Sequence, residues 1–223
     1  MPSVPNQSRS RRWGPFRPLT VVSAGLGLLA VVAAAIYLRD LGIQVPEASS
    51  TSSATAGVAA GAADDFATST CSDLDVSEFT EMAGGRAELV DARAQVYPDA
   101  FPEGGVGNLY CQFSSESGMT FSVGVLANTA EDFAATSTER NRAVWELVPD
   151  DYLIEDFQSG VLEGYTNTHE SATLQEFTLN AGSGRLLLTI ALIADPGTFA
   201  NTDAIAVVDA IAARTVERFA EYR

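Results

Sequence analysis

The feature that most limits how this chain can fold is Leu19 to Leu38, a run with no charged side chain. Its small polar residues are Thr20 and Ser23. A helix of ~20 residues rises ~30 Å, the hydrocarbon thickness of a bilayer. The run therefore reads as a transmembrane helix over residues 19–38, with the lipid bilayer as its partner.

Charge is divided across this run. Arg9, Arg11, Arg12 and Arg17 precede it, and the first acid in the chain is Asp40. The chain has 13 basic residues, all Arg, against 29 acids, for a net charge of −16. By the positive-inside rule, residues 1–18 form a cytoplasmic Arg-rich tail and residues 39–223 lie outside. The reading is a single-pass plasma-membrane protein with an extracytoplasmic carboxy-terminal domain. The rival is a cleaved signal peptide, for which Ala33 and Ala35 supply an A-x-A site. Against it, the apolar run continues through Ile36, Tyr37 and Leu38. No cysteine follows closely, as a lipoprotein anchor requires. Ser10-Arg11-Arg12 opens like a twin-arginine signal, but the next residues do not match one. Ser23-x-x-x-Gly27 and Ala30-x-x-x-Ala34 would let two such helices approach closely. Small residues are common in any alanine-rich span, so the oligomeric state stays open.

Residues 39–70 read as a flexible linker, rich in Ala, Ser, Thr and Gly from Gln44 to Thr70. A flexible chain of ~27 residues spans roughly 30 Å on average, enough to lift a domain off the membrane. Linker glycosylation is compatible with this composition but does not follow from it.

Residues 71–223 are long enough to enclose their own core. The chain's two cysteines, Cys71 and Cys111, both fall here. Outside the cytoplasm such a pair forms a disulfide, whereas a redox or metal pair would call for C-x-x-C spacing or nearby histidines. Hydropathy periods place a helix over Asp73 to Ala83, capped by Ser72 and ended by Gly84-Gly85. Strands follow at Ala87 to Tyr97, Gly107 to Ser114 and Met119 to Ala127. The last two flank a Ser115-Glu116-Ser117-Gly118 hairpin turn. A second helix runs from Thr129 to Leu147 with Phe133, Val144 and Leu147 on one stripe. Three more strands are expected at Val161 to Tyr165, Ala172 to Asn180 and Arg185 to Ala194. The last is nearly continuous apolar, so it should be central and buried on both faces. A final helix opens near Thr202, with Ile205, Val208, Ile211, Ala212, Val216 and Phe219 on its core face. The order α-β-β-β-α-β-β-β-α predicts an α+β fold, a mainly antiparallel sheet packed by about three helices.

Cys71-Ser-Asp-Leu, Leu109-Tyr-Cys-Gln-Phe and the carboxy-terminal helix carry a resemblance. The chain resembles actinobacterial cell-envelope proteins with a small extracytoplasmic α+β domain of unknown function. Some of these are similar to the sensor domains of membrane-bound kinases, others to PsbP-like lipoproteins. No lipoprotein cysteine and no preceding kinase domain are present here. The resemblance implies a cell-envelope setting and brings no activity with it.

Motifs for chemistry are sparse. His169, the single histidine, sits in the polar stretch Thr166-Asn-Thr-His-Glu and reads as a surface turn residue. No Gly-x-Ser-x-Gly turn presents a nucleophile to it. Asp150, Asp151, Glu155 and Asp156 lack the alternating spacing of an EF-hand and read as a solvated loop edge. Gly104-Gly105-Val-Gly107 has no accompanying lysine and reads as a turn. No cofactor or metal is implied. Trp145, Tyr152, Phe157 and Tyr165 could line an apolar groove for a lipid or peptide; core filling is their other use.

Three function classes remain. The favoured one is a non-catalytic domain that binds, senses or scaffolds an envelope partner. The second is a carrier of a lipid or small apolar ligand, which needs a connected cavity. The third is a cell-wall hydrolase, which needs convergent polar groups in a cleft. The acidic balance disfavours nucleic acid, whose phosphates need cations.

Overall fold

Apolar and polar residues alternate along the first two hairpin strands, and that alternation sets the plane of the sheet. A computed structural model of the chain describes residues 58–97, 105–149 and 151–223. The expected tail, span and first part of the linker lie outside these residues, as do Pro98, Pro102, Gly104 and Asp150. No described helix is long and apolar enough to cross a membrane.

The order is α1 (Val58–Asp65), α2 (Thr70–Asp73), α3 (Ser77–Met82), β1 (Ala87–Val96), β2 (Gly105–Ser115) and β3 (Thr120–Asn128). Then come α4 (Phe133–Trp145), β4 (Leu153–Ser159), β5 (Leu162–Glu170), β6 (Gln175–Ser183), β7 (Leu186–Ala194) and α5 (Asn201–Arg218). The fold is α+β, with one seven-stranded sheet in the order β1-β2-β3-β7-β6-β5-β4. Every neighbouring pair is antiparallel. Two meanders, β1–β3 and β4–β7, meet where β3 pairs with β7, and α4 makes the connection between them. The near-continuous apolar strand is central as expected, with Leu186, Leu188, Ile190 and Leu192 all at 0% exposure.

One face of the sheet carries the main core. Leu109, Phe121, Leu179 and Ile190 meet Val208 and Ile211 of α5 there. Phe79 of α3 stacks on Phe121 with centroids 5.1 Å apart and planes at 22°. Burying each such ring stabilises the fold by ~1.5–3 kcal/mol. Cys71 of α2 is bonded to Cys111 of β2 with Cα atoms 5.4 Å apart, so the expected disulfide staples an early helix to the sheet. The other face is covered over β5–β7 by α4. Ala134 lies so close to Gly182 that a Cβ at 182 would sit 2.6 Å from the Ala134 methyl.

Several expectations are corrected. The folded body starts before Cys71, because α1 forms inside the expected linker and Phe66 is 2% exposed. Phe66 docks on Phe219 and Tyr222 at centroid distances of 5.3 Å each. The helix expected over 73–83 is two short helices broken at Leu74–Val76. There Asp75 Oδ1 accepts the Ser77 amide at the start of α3, whose N-cap position is Val76. Gly84, at φ +66°, ends α3 as expected. The second half holds four strands rather than three. β4 was hidden because its acids Glu155 and Asp156 mark a solvent-facing edge rather than a loop. β5 runs on to Glu170, so His169 sits in a strand rather than a turn. On α4 the inward residues are Ala134 and Thr138, whereas Val144 is 55% and Leu147 79% exposed. Val144 and Leu147 of the predicted apolar stripe thus face outward, while Phe133 is half-buried. Ile205 of α5 is likewise 37% exposed, and Val207 replaces it in the core.

Candidate functional site

β5 alternates between two environments, and this splits the residues expected to form one groove. Tyr165, Asn167 and His169 share a face with their cross-strand partners Asn180, Thr178 and Glu176. That face lies under α4. Phe157 of β4 opposes Gly164, one step out of phase with Tyr165, and so belongs to the α5 face. The structure brings Trp145, Tyr152 and Tyr165 to the α4 side and leaves Phe157 on the opposite side of the sheet.

On the α4 side the Trp145 and Tyr152 rings lie 4.6 Å apart at 53°, and Tyr152 continues to His169 at 5.0 Å and 33°. His169 Nδ1 is 2.6 Å from the Asp151 carbonyl oxygen. A carbonyl only accepts, so Nδ1 carries the proton and the ring is held by backbone. Tyr165 is fully buried, with the Arg142 guanidinium 6.0 Å from its ring centroid. Arg142 Nε donates to Glu146 at 2.9 Å, and Nη1 donates to Asp156 on β4, tying the end of α4 to the sheet edge. Burial raises the pKa of the Tyr165 phenol strongly, with Trp145 and Arg142 opposing it. Burial also raises that of Tyr152.

Sequence reasoning missed the polar seam beneath this cluster. Thr138 Oγ1, Tyr165 Oη and both amide atoms of Asn167 are buried without a hydrogen bond of good geometry. Buried polar groups are normally paired, so four orphan atoms together are unusual. The signal was present in Tyr-x-Asn-x-His, a period of two that puts three polar-tipped residues on one strand face. Beside the seam, Val144, Leu147 and Val148 are exposed apolar residues at 55%, 79% and 41% exposure.

On the α5 side, Phe157 lines an open groove of about 370 Å³ with Glu155, Thr166, Ile205 and Asp209. Asp209 Oδ1 is buried there without a partner. A second open groove of about 390 Å³ runs between α3 and α5, past Glu78, Met82 and Phe199. Glu78 in its wall is held by Arg214, whose Nη1 donates at 2.7 Å. That bond lowers the Glu78 carboxyl pKa to about 2. Among the described residues no cluster of three or more His, Cys, Asp or Glu could hold a metal ion.

The geometry defines a disulfide-stapled antiparallel α+β domain with two open grooves alongside α5. No family model matches the chain, and no curated protein matches it. It is similar in structure to the extracellular domain of PknH from Mycobacterium tuberculosis. That likeness has 12% identity and a TM-score of 0.48, covering 68% of this chain and 97% of that one. A GTP-binding regulator from Thermotoga maritima aligns at 10% identity and TM-score 0.29, over 61% of this chain and 86% of that one. Neither likeness assigns an activity.

Proposed function

We propose that this chain is a membrane-anchored, extracytoplasmic, non-catalytic domain that binds, senses or scaffolds a partner in the cell envelope. The observation that carries this reading is the Cys71–Cys111 bond inside the folded body. Such bonds persist where the environment is oxidising. The Arg-flanked apolar run over 19–38 supplies the anchor and its direction. Binding is supported by the exposed apolar residues Val144, Leu147 and Val148 next to the Trp145–Tyr152 pair. Contiguous apolar surface of this kind marks interaction sites on soluble domains.

Topology is tested by reporter fusions after Arg223. Alkaline phosphatase, which needs an oxidising compartment, is active there, and a cytoplasm-dependent fluorescent reporter is dark. The reverse pattern overturns the reading. The intact mass of the membrane-extracted chain separates an uncleaved anchor from a signal peptide cut after Ala35.

A further inference from the structure

β4 is an outermost strand of the sheet, so one row of its backbone N–H and C=O groups has no neighbouring strand among the described residues. Edges of this kind are templates for an added strand. Along this edge lies the groove floored by Phe157 and Ile205. Its lining includes the carboxylates of Glu155 and Asp209. Asp209 Oδ1 is buried and unpaired. Glu155 stands opposite Thr166 across the β4–β5 ladder and has no ion pair among the described residues. Thr166 is 4% exposed and lines the groove. The neighbouring Asp156 is already taken by Arg142.

Acids on an edge strand also serve to keep like edges apart. Here that role and a binding role coincide. Glu155 and Asp209 repel a second copy of this acidic chain and favour a cationic strand. A guanidinium, with its fork of N–H donors and no acceptor, matches two carboxylates and a hydroxyl. Alternate residues of an added strand recur every ~7 Å on one side, so a cation and an apolar side chain can enter the groove together.

We infer that the β4 edge takes up an extended basic segment of a partner protein, its main chain pairing with β4 and one arginine or lysine entering between Glu155 and Asp209. This deepens the binding reading above by naming the partner's chemistry. Its test does not depend on membrane orientation, so its failure leaves the topology result untouched.

The experiment uses the full-length chain in detergent micelles and a short, labelled, acetylated peptide alternating arginine and valine. Fluorescence anisotropy should rise saturably, and hydrogen exchange should slow at the β4 amides. Glu155→Gln and Asp209→Asn should each weaken binding about tenfold, the loss expected for one charge-assisted bond. The E155K/D209K double variant should turn the preference to a peptide alternating glutamate and valine. Glu155→Gln is a solvent-edge change, which keeps the test readable if Asp209→Asn perturbs the fold. The inference is overturned if neither single variant weakens binding, or if the peptide protects other amides and leaves β4 unchanged. Self-association of the chain through β4 that the peptide does not displace, or no binding at all, would equally overturn it.

Discussion

The Phe66 ring lies against the backbone of Gly107, so close that a Cβ at 107 would sit 2.2 Å from Phe66 Cδ2. The contact joins the segment after α1, which composition assigns to a linker, to the start of β2. It explains why position 107 lacks a side chain. Asp65 reinforces the dock, accepting from Arg218 Nη1 and, at 3.1 Å, from the Tyr222 hydroxyl.

Gly107→Ala should therefore destabilise the domain by ~1–3 kcal/mol, as overpacking does in a well-filled core. Phe66→Ala should cost ~3–5 kcal/mol through lost burial and the cavity left behind. The double variant should lose less than the two together, because removing the ring makes room for the methyl. Urea unfolding of the three variants measures this. Strict additivity would mean the two residues do not share the contact.

The Glu78–Arg214 pair makes stability depend on pH. Glu78 drops from an ordinary 4.5 to about 2, chiefly through its hydrogen bonds from Arg214. A folded pKa below the unfolded one means the unfolded chain takes up the proton first. The stabilisation is fully present above 4.5 and disappears as pH falls towards 2. Both side chains are about a third exposed, at 33% and 35%, so screening holds the gain to ~1 kcal/mol. The gap in urea midpoint between the native chain and Glu78→Gln should be constant above pH 5 and close as the pH approaches 2. A gap that widened on acidification would contradict the assignment.

Reducing the Cys71–Cys111 bond should lower stability by ~2–4 kcal/mol, the range for a loop of this length. The sequence separation of the bonded pair is 40. Thermal unfolding with and without reductant, alongside Cys71→Ser/Cys111→Ser, gives the value. Equal melting temperatures would show that α2 is held to β2 by packing alone.

Tyr165→Phe removes a buried hydroxyl that has no well-formed hydrogen bond. Deleting an unsatisfied polar group is neutral or stabilising, so the melting temperature should hold or rise. A loss above ~1 kcal/mol would reveal a bridging water or ligand in the seam under α4.

Much of the fold was legible because its signals are local. Gly84 and the Ser115–Gly118 turn end their elements by backbone chemistry that needs no distant partner. β7 betrays its central place through unbroken apolar residues. β4 was illegible because an edge strand carries the charges of a loop, and only its pairing with β5 separates the two. α4 misled for a related reason. Its apolar residues Val144 and Leu147 face outward, while Ala134 and Thr138 fit the narrow space over Gly182. Among the candidate residues, Trp145 and Tyr152 could be placed together because one connection joins them. Phe157 could not be separated from Tyr165 without knowing the register of β4 on β5.

The sequence by itself determined the charge asymmetry, the apolar run, the cysteine pair and the alternation of each core strand, all of which act through nearest neighbours or bulk composition. Tertiary structure alone decided where the body begins, which face each aromatic joins, and which polar atoms are left without partners. Those outcomes depend on contacts between residues far apart in the chain, such as Phe66 with Gly107 and Arg214 with Glu78. No local pattern records them, because the energy that fixes them exists only once the chain has closed on itself.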